Sequence, residues 1–173
     1  MSDLTFSQPV LRILKTSTLF FISVLVSACG NSPSQQQMDV QIGDTFYLEQ
    51  AIAVKNGYSR VHFQEGEIAG AWFDHYIPHC TIELSDIVDR DTSFYPGPFQ
   101  IEKVRFGSED YESEGVIDYV YFYLQPTSES EAEADVFRLA CAGAMDEGLN
   151  NPAAQRPKRK QINQILGNYG QVK

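Results

Sequence analysis

From residue 38 onward apolar side chains recur at every second position, a period that fits strands and not helices. Val116 to Leu124 carries the pattern furthest. Val116, Val120, Phe122 and Leu124 fall on one face, and Ile117, Tyr119, Tyr121 and Tyr123 on the other. A strand apolar on both faces needs cover on both, so this segment is predicted to be central or overlaid. Phe46, Leu48, Ile52 and Val54 share a face, Asn56-Gly57 signals a turn, and Arg60 to Gln64 alternates again before Glu65-Gly66. Cys80, Ile82 and Leu84 point one way. Phe99 and Ile101 change phase to Val104 and Phe106, which predicts a bulge near Glu102-Lys103. In the last segment, Phe137, Leu139 and Cys141 are expected inward.

One helix is expected near the C-terminus. Pro157 suits its first turn, Ile162, Ile165, Leu166 and Tyr169 have helical spacing, and Gly167 ends it. About six strands with turns between them and no βαβ alternation predict a mainly β fold, an antiparallel β-sandwich or small β-barrel with one short C-terminal helix. Residues 38–173 read as a single β-rich domain.

The first 37 residues differ in character. Arg12 and Lys15 precede the apolar run Leu19 to Val26, too short to span a bilayer comfortably but suited to a signal-peptide core. Small residues follow, then a cysteine. Val26-Ser27-Ala28-Cys29 resembles the lipobox of bacterial lipoproteins. The resemblance implies that residues 1–28 are a signal peptide recognised at Val26, Ser27 and Ala28. It also implies that Cys29 carries diacylglycerol on its thiol and a further acyl chain on its freed amine, anchoring the protein to a lipid bilayer. Several acyl chains give stable anchoring where one does not. Gly30 stands where an aspartate would imply retention at the inner membrane, so the resemblance implies the outer membrane and a periplasmic or envelope domain. An ordinary secretory signal and an uncleaved anchor helix are the alternatives. Residues 29–37 read as lipidated cysteine and flexible tether, and the rest is similar to the small β-rich lipoproteins of proteobacteria.

Charge narrows the partners. The chain has a net charge of −10, and removing a leader that holds Arg12, Lys15 and Asp3 leaves 11 basic and 22 acidic residues. Such a surface repels phosphate backbones and anionic lipid, which argues against nucleic acid and against peripheral docking by charge. Glu109 to Glu114 and Ser128 to Asp135 read as acidic loops. Arg156, Lys158, Arg159 and Lys160 form a basic run that either complements those loops or meets an anionic polymer.

With Cys29 lipidated, Cys80 and Cys141 remain, and the envelope permits disulfides. Cys80 begins one strand and Cys141 ends another, each in phase with inward residues. Antiparallel pairing of the two would bring the sulfurs together.

Catalytic signals are sparse. His75 and His79 have the i, i+4 spacing that faces one metal from a helix, but Pro78 breaks such a helix. On a strand they stand about 13 Å apart, so no metal and no cofactor are expected. Asp86, Asp89 and Asp91 lack the glycine and closing glutamate of a calcium loop. No nucleophile elbow, phosphate loop or dinucleotide fingerprint is present, so no catalytic residue is assigned. Trp72-Phe73 with Tyr76, and Phe94-Tyr95, are aromatic clusters that either cap a core or form a binding surface. The expected function is therefore a non-catalytic binding or assembly role, with another envelope protein as partner. A glycan, peptidoglycan or small-ligand module is the alternative, and a hydrolase ranks below both.

Overall fold

A computed structural model describes residues 38–70, 73–111, 115–127, 136–143 and 156–173, with no account of the side chains of 110, 111 and 115. The leader, Cys29 with its tether, Trp72, residues 112–114 and the loop 128–135 lie outside the described residues.

Strands β1 (Thr45–Leu48), β2 (Ile52–Val54), β3 (Arg60–Gln64), β4 (Glu67–Ala69) and β5 (His79–Leu84) come first. They are followed by β6 (Thr92–Phe94), β7 (Gly97–Tyr111), β8 (Gly115–Pro126), β9 (Val136–Ala142), helix α1 (Arg159–Leu166) and β10 (Gly170–Val172). The expected β class and single short helix are both found, with ten strands among the described residues in place of about six. Eight form one antiparallel sheet in the order β10-β1-β7-β8-β9-β5-β3-β4, and β2 and β6 form a separate ribbon. Helix α1 contacts β10 at one end of that order and β3 and β5 near the other. A flat sheet cannot touch one short helix in this way, so the sheet curls around α1 as a half-barrel.

The inner face holds the main core, in which Phe46, Phe63, Phe99, Phe122, Ile162 and Leu166 are fully buried. The outer face of β8 and β9 buries a second cluster of Ile117, Tyr119, Tyr121, Ala140 and Ala142. Val116 to Leu124 thus has apolar contacts on both faces, as its sequence requires. The phase change in β7 is a bulge, because the pairing with β8 shifts register between Ile101 and Lys103.

Three local expectations need correction. Phe46 to Val54 is not one strand: β2 leaves the sheet to pair with β6. Asn56-Gly57 turns the chain as expected, with Gly57 at φ +84°, and joins ribbon to sheet, while Glu65-Gly66 forms a two-residue hairpin between β3 and β4. Phe137 is 41% exposed and Val136 is buried instead. The cause is a second bulge, since Glu83 faces Arg138 while Leu84 faces Val136, so Phe137 is the extra residue. Pro157 precedes the N-cap, Lys158, and Tyr169 lies beyond the helix against Phe63.

Helix α1 starts without a side-chain acceptor of its own at the cap. Asp39 supplies one from elsewhere in the chain, accepting the Arg159 N–H at 2.9 Å, and Gln161 reaches back to the Lys158 N–H at the same distance. A carboxylate here also suits the helix dipole. Arg159 binds Asp44 at 2.6 Å, so the basic run is anchored in part to acids of the domain.

Candidate binding surface

Strand register sets the outer face. One row runs His62, Thr81, Ala140 and Tyr121 across β3, β5, β9 and β8, with Arg105 on β7 beyond. The next row contains Arg60, Glu83, Arg138, Tyr123 and Lys103. Alternation places these residues side by side although they are scattered along the chain.

The second row is a ladder of charge and aromatic rings. Glu83 is buried between Arg138, at 2.7 Å, and Arg60, at 3.6 Å. The Arg138 guanidinium lies 4.3 Å over the Tyr121 ring, and the Lys103 ammonium 4.8 Å over Tyr123. One carboxylate serves two guanidiniums, leaving net positive charge at this end of β3. Gly107 makes room for Tyr121, since a Cβ there would sit 2.8 Å from its Cε2. The Tyr121 hydroxyl donates to Glu109 at 3.2 Å. Burial, and then the adjacent carboxylate, hold that phenol protonated well above its ordinary range.

Beside the ladder, all three histidines of the chain surround Phe73. His62 stacks on its ring at 4.2 Å, while His79 and His75 meet it edge-on at 4.7 and 5.2 Å. The Gln64 side chain fixes the approaching loop by accepting from the Asp74 N–H and donating to its carbonyl. Asp74 in turn accepts the Tyr76 N–H at 2.9 Å. His79 is fully buried, with Nδ1 2.9 Å from the Ile77 carbonyl and Nε2 2.8 Å from the Tyr119 hydroxyl. Nδ1 must donate to that carbonyl, which leaves Nε2 to accept from Tyr119 in the neutral ring. His62 Nδ1 lies 2.8 Å from the Thr81 hydroxyl.

Burial lowers the proton affinity of both rings. It pushes His62 down to about 4, helped by the neighbouring His79 and Arg60, and lowers His79 in the same direction. A histidine near 6.5 when unfolded and lower when folded contributes stability above about pH 6.5 that is lost as pH falls toward 4. With solvent screening at the partly exposed His62, the expected loss between pH 7 and pH 4.5 is about 2 kcal/mol. Urea unfolding at the two pH values measures it, and His62→Gln should reduce the difference while His79 retains its share; an unchanged difference in that variant refutes the assignment.

Among the described residues, the aromatic side chains proposed from sequence fall in separate places. Phe73 packs among the histidines and Tyr76 beside it is exposed, whereas Phe94 is buried in the main core and Tyr95 is exposed elsewhere. Tyr95 lines a polar cavity of about 370 Å³ together with Asp86, Asp89 and Arg90. Asp91 does not face it as a ligand: it binds the Lys55 ammonium at 2.8 Å and the Asn56 N–H at 3.0 Å. Among the described residues no three histidine, cysteine, aspartate or glutamate side chains converge as metal ligands.

Sequence reasoning missed a larger feature. At the β4 end of the sheet a groove of about 500 Å³ runs from Ala53–Lys55 past Tyr58–His62 to Ile68–Gly70 and Ile87. Tyr58, Ile68 and Ile87 are 63%, 41% and 69% exposed, an apolar set gathered in one place. Lys55, Arg60 and His62 also line it, and no carboxylate does. A signal was present: Gln50 to Gln64 is free of aspartate and glutamate in an otherwise acidic chain.

Searches against protein-family models, curated proteins and solved structures give no match to this chain.

Proposed function

We propose that this chain is a lipid-anchored protein of the bacterial cell envelope whose β domain binds another envelope component without transforming it. The lipobox-like Val26-Ser27-Ala28-Cys29 supports the anchor, and Gly30 favours the outer membrane. The cross-strand disulfide between Cys80 and Cys141 fits an oxidising compartment. The observation that carries the binding role is the groove beside β4, where exposed Tyr58, Ile68 and Ile87 meet Arg60 in a protein of net charge −10. Isolated exposed apolar residues are ordinary, but a gathered set marks a contact surface.

Crosslinking in cells followed by mass spectrometry, with a Cys29→Ser form on a cleavable secretory signal alongside, tests this reading. The wild-type protein should incorporate labelled palmitate and retain a stoichiometric protein partner. The variant should lose the label and weaken the association. A protein that takes up no acyl chain refutes the anchor, and one that retains no partner refutes the assembly role.

A second reading, a glycan or small polar ligand, is favoured by one observation. Tyr95 stands at the polar cavity with Asp86, Asp89 and Arg90, a combination suited to hydroxyl-rich molecules. Retention on immobilised peptidoglycan that disappears in Tyr95→Ala would favour it over the first.

A further inference from the structure

The eight-stranded sheet ends at β4, and among the described residues no strand pairs with its outer edge. Its register is fixed by the tight turn at Glu65-Gly66, which pairs Gln64 with Glu67, Phe63 with Ile68 and His62 with Ala69. In an antiparallel hairpin with a two-residue turn, hydrogen-bonded and non-hydrogen-bonded pairs alternate, beginning with the pair that flanks the turn. Phe63 and Ile68 are therefore a non-hydrogen-bonded pair, and the Ile68 N–H and C=O point away from β3. Ile68 lines the groove, and Ala53 and Val54 of β2, in the separate ribbon, line it too.

We infer that this groove receives an extended peptide segment of a partner protein, added as a strand to β4, with carboxylates alternating with apolar side chains. The outward Ile68 amide and carbonyl supply backbone pairing, as in other strand-addition complexes. Ile68, Tyr58 and Ile87 receive the apolar side chains. Charge selects the rest: Lys55 is already paired with Asp91 and His62 is uncharged at neutral pH, so Arg60 is the cation that the groove offers, and no carboxylate is part of the lining. Arg60 is held only loosely by Glu83, whose closer bond goes to Arg138. A basic strand would find no anion in the lining, whereas an acidic one meets Arg60 directly.

The inference names the surface for the binding role proposed above and rests on that reading, but not on the lipid anchor. It is tested on the full-length protein in mild detergent by fluorescence anisotropy. The probes are a labelled octapeptide, Glu-Val-Thr-Val-Glu-Val-Thr-Val, and its counterpart with lysine for each glutamate. The acidic peptide should bind at least tenfold more tightly than the basic one. Ile68→Pro, which removes the outward N–H and leaves the β3–β4 bonds in place, should weaken it at least tenfold. Arg60→Glu should reverse the charge preference. As a control that leaves the hairpin itself unaltered, an acidic peptide N-methylated at alternate amides keeps the test open: one methylation parity should abolish binding and the other spare it.

Equal affinity for both peptides, no binding of either, or indifference to methylation parity overturns the inference. Dimerisation that Ile68→Pro abolishes, without peptide binding, also overturns it and assigns the edge to a second copy. A partner that still crosslinks in cells to the Ile68→Pro and Arg60→Glu proteins overturns the groove while leaving the broader binding role intact.

Discussion

Replacing Cys80 and Cys141 together by alanine should lower the free energy of unfolding by about 4 kcal/mol. The two cysteines face each other directly across β5 and β9, are wholly buried, and form a disulfide. They lie 61 positions apart, and closing a loop of that length removes about 4 kcal/mol of chain entropy from the unfolded state in the standard model. The lost sulfur contacts leave a small void in the main core and add to the cost. Urea unfolding of wild type and double variant measures the change. A midpoint shift worth less than about 1 kcal/mol would refute the expectation. Burial also predicts a kinetic asymmetry: dithiothreitol should leave the bridge intact in the folded protein and reduce it quickly in denaturant.

Gly167→Ala should cost about 3 kcal/mol or more, against about 1 kcal/mol for Gly43→Ala. Both glycines have positive φ, +58° and +95°. What separates them is space. A Cβ on Gly43 meets nothing within 4 Å, whereas one on Gly167 would lie 2.5 Å from the Gly66 carbonyl oxygen and 2.6 Å from its Cα. The β3–β4 turn rests directly on the end of α1, and the Gly66 N–H donates to the Ile165 carbonyl at 3.1 Å. The Cβ would push the turn off the helix and break that bond. Thermal midpoints of the two variants decide the matter, and equal losses would show that backbone strain alone sets the cost.

The disulfide was readable from the chain because two alternating runs fix the facing of Cys80 and Cys141, and antiparallel pairing does the rest. The bulge at Glu102 was readable for the same reason, as a phase change between two long apolar runs. β4, β6 and β10 were not: each is three residues long, and three residues cannot display a period. The inward reading of Phe137 failed because its bulge sits at the start of β9, where too few residues precede it to reveal a shift of phase. Phe73 and the histidines come together through the His62–Thr81 register and the Gln64 clamp on Asp74, and neither is encoded locally. The apolar groove draws Tyr58, Ile68 and Ile87 from three separate segments, each ordinary when taken alone.

β1 lies between β7 and β10, two strands made after it. Phe46 pairs with Phe99 on one side and Val172 on the other, and Thr45 exchanges backbone hydrogen bonds with Lys173 at 3.2 and 2.9 Å. A chain threaded N-terminus first would therefore pair β1 with β7 on one side and leave its other edge open until Gly170–Val172 arrives. Non-local pairing of this kind slows folding. During that wait Phe46 and Leu48 are exposed to any passing strand, so the interval before residue 172 emerges is when this protein has most need of a chaperone's protection.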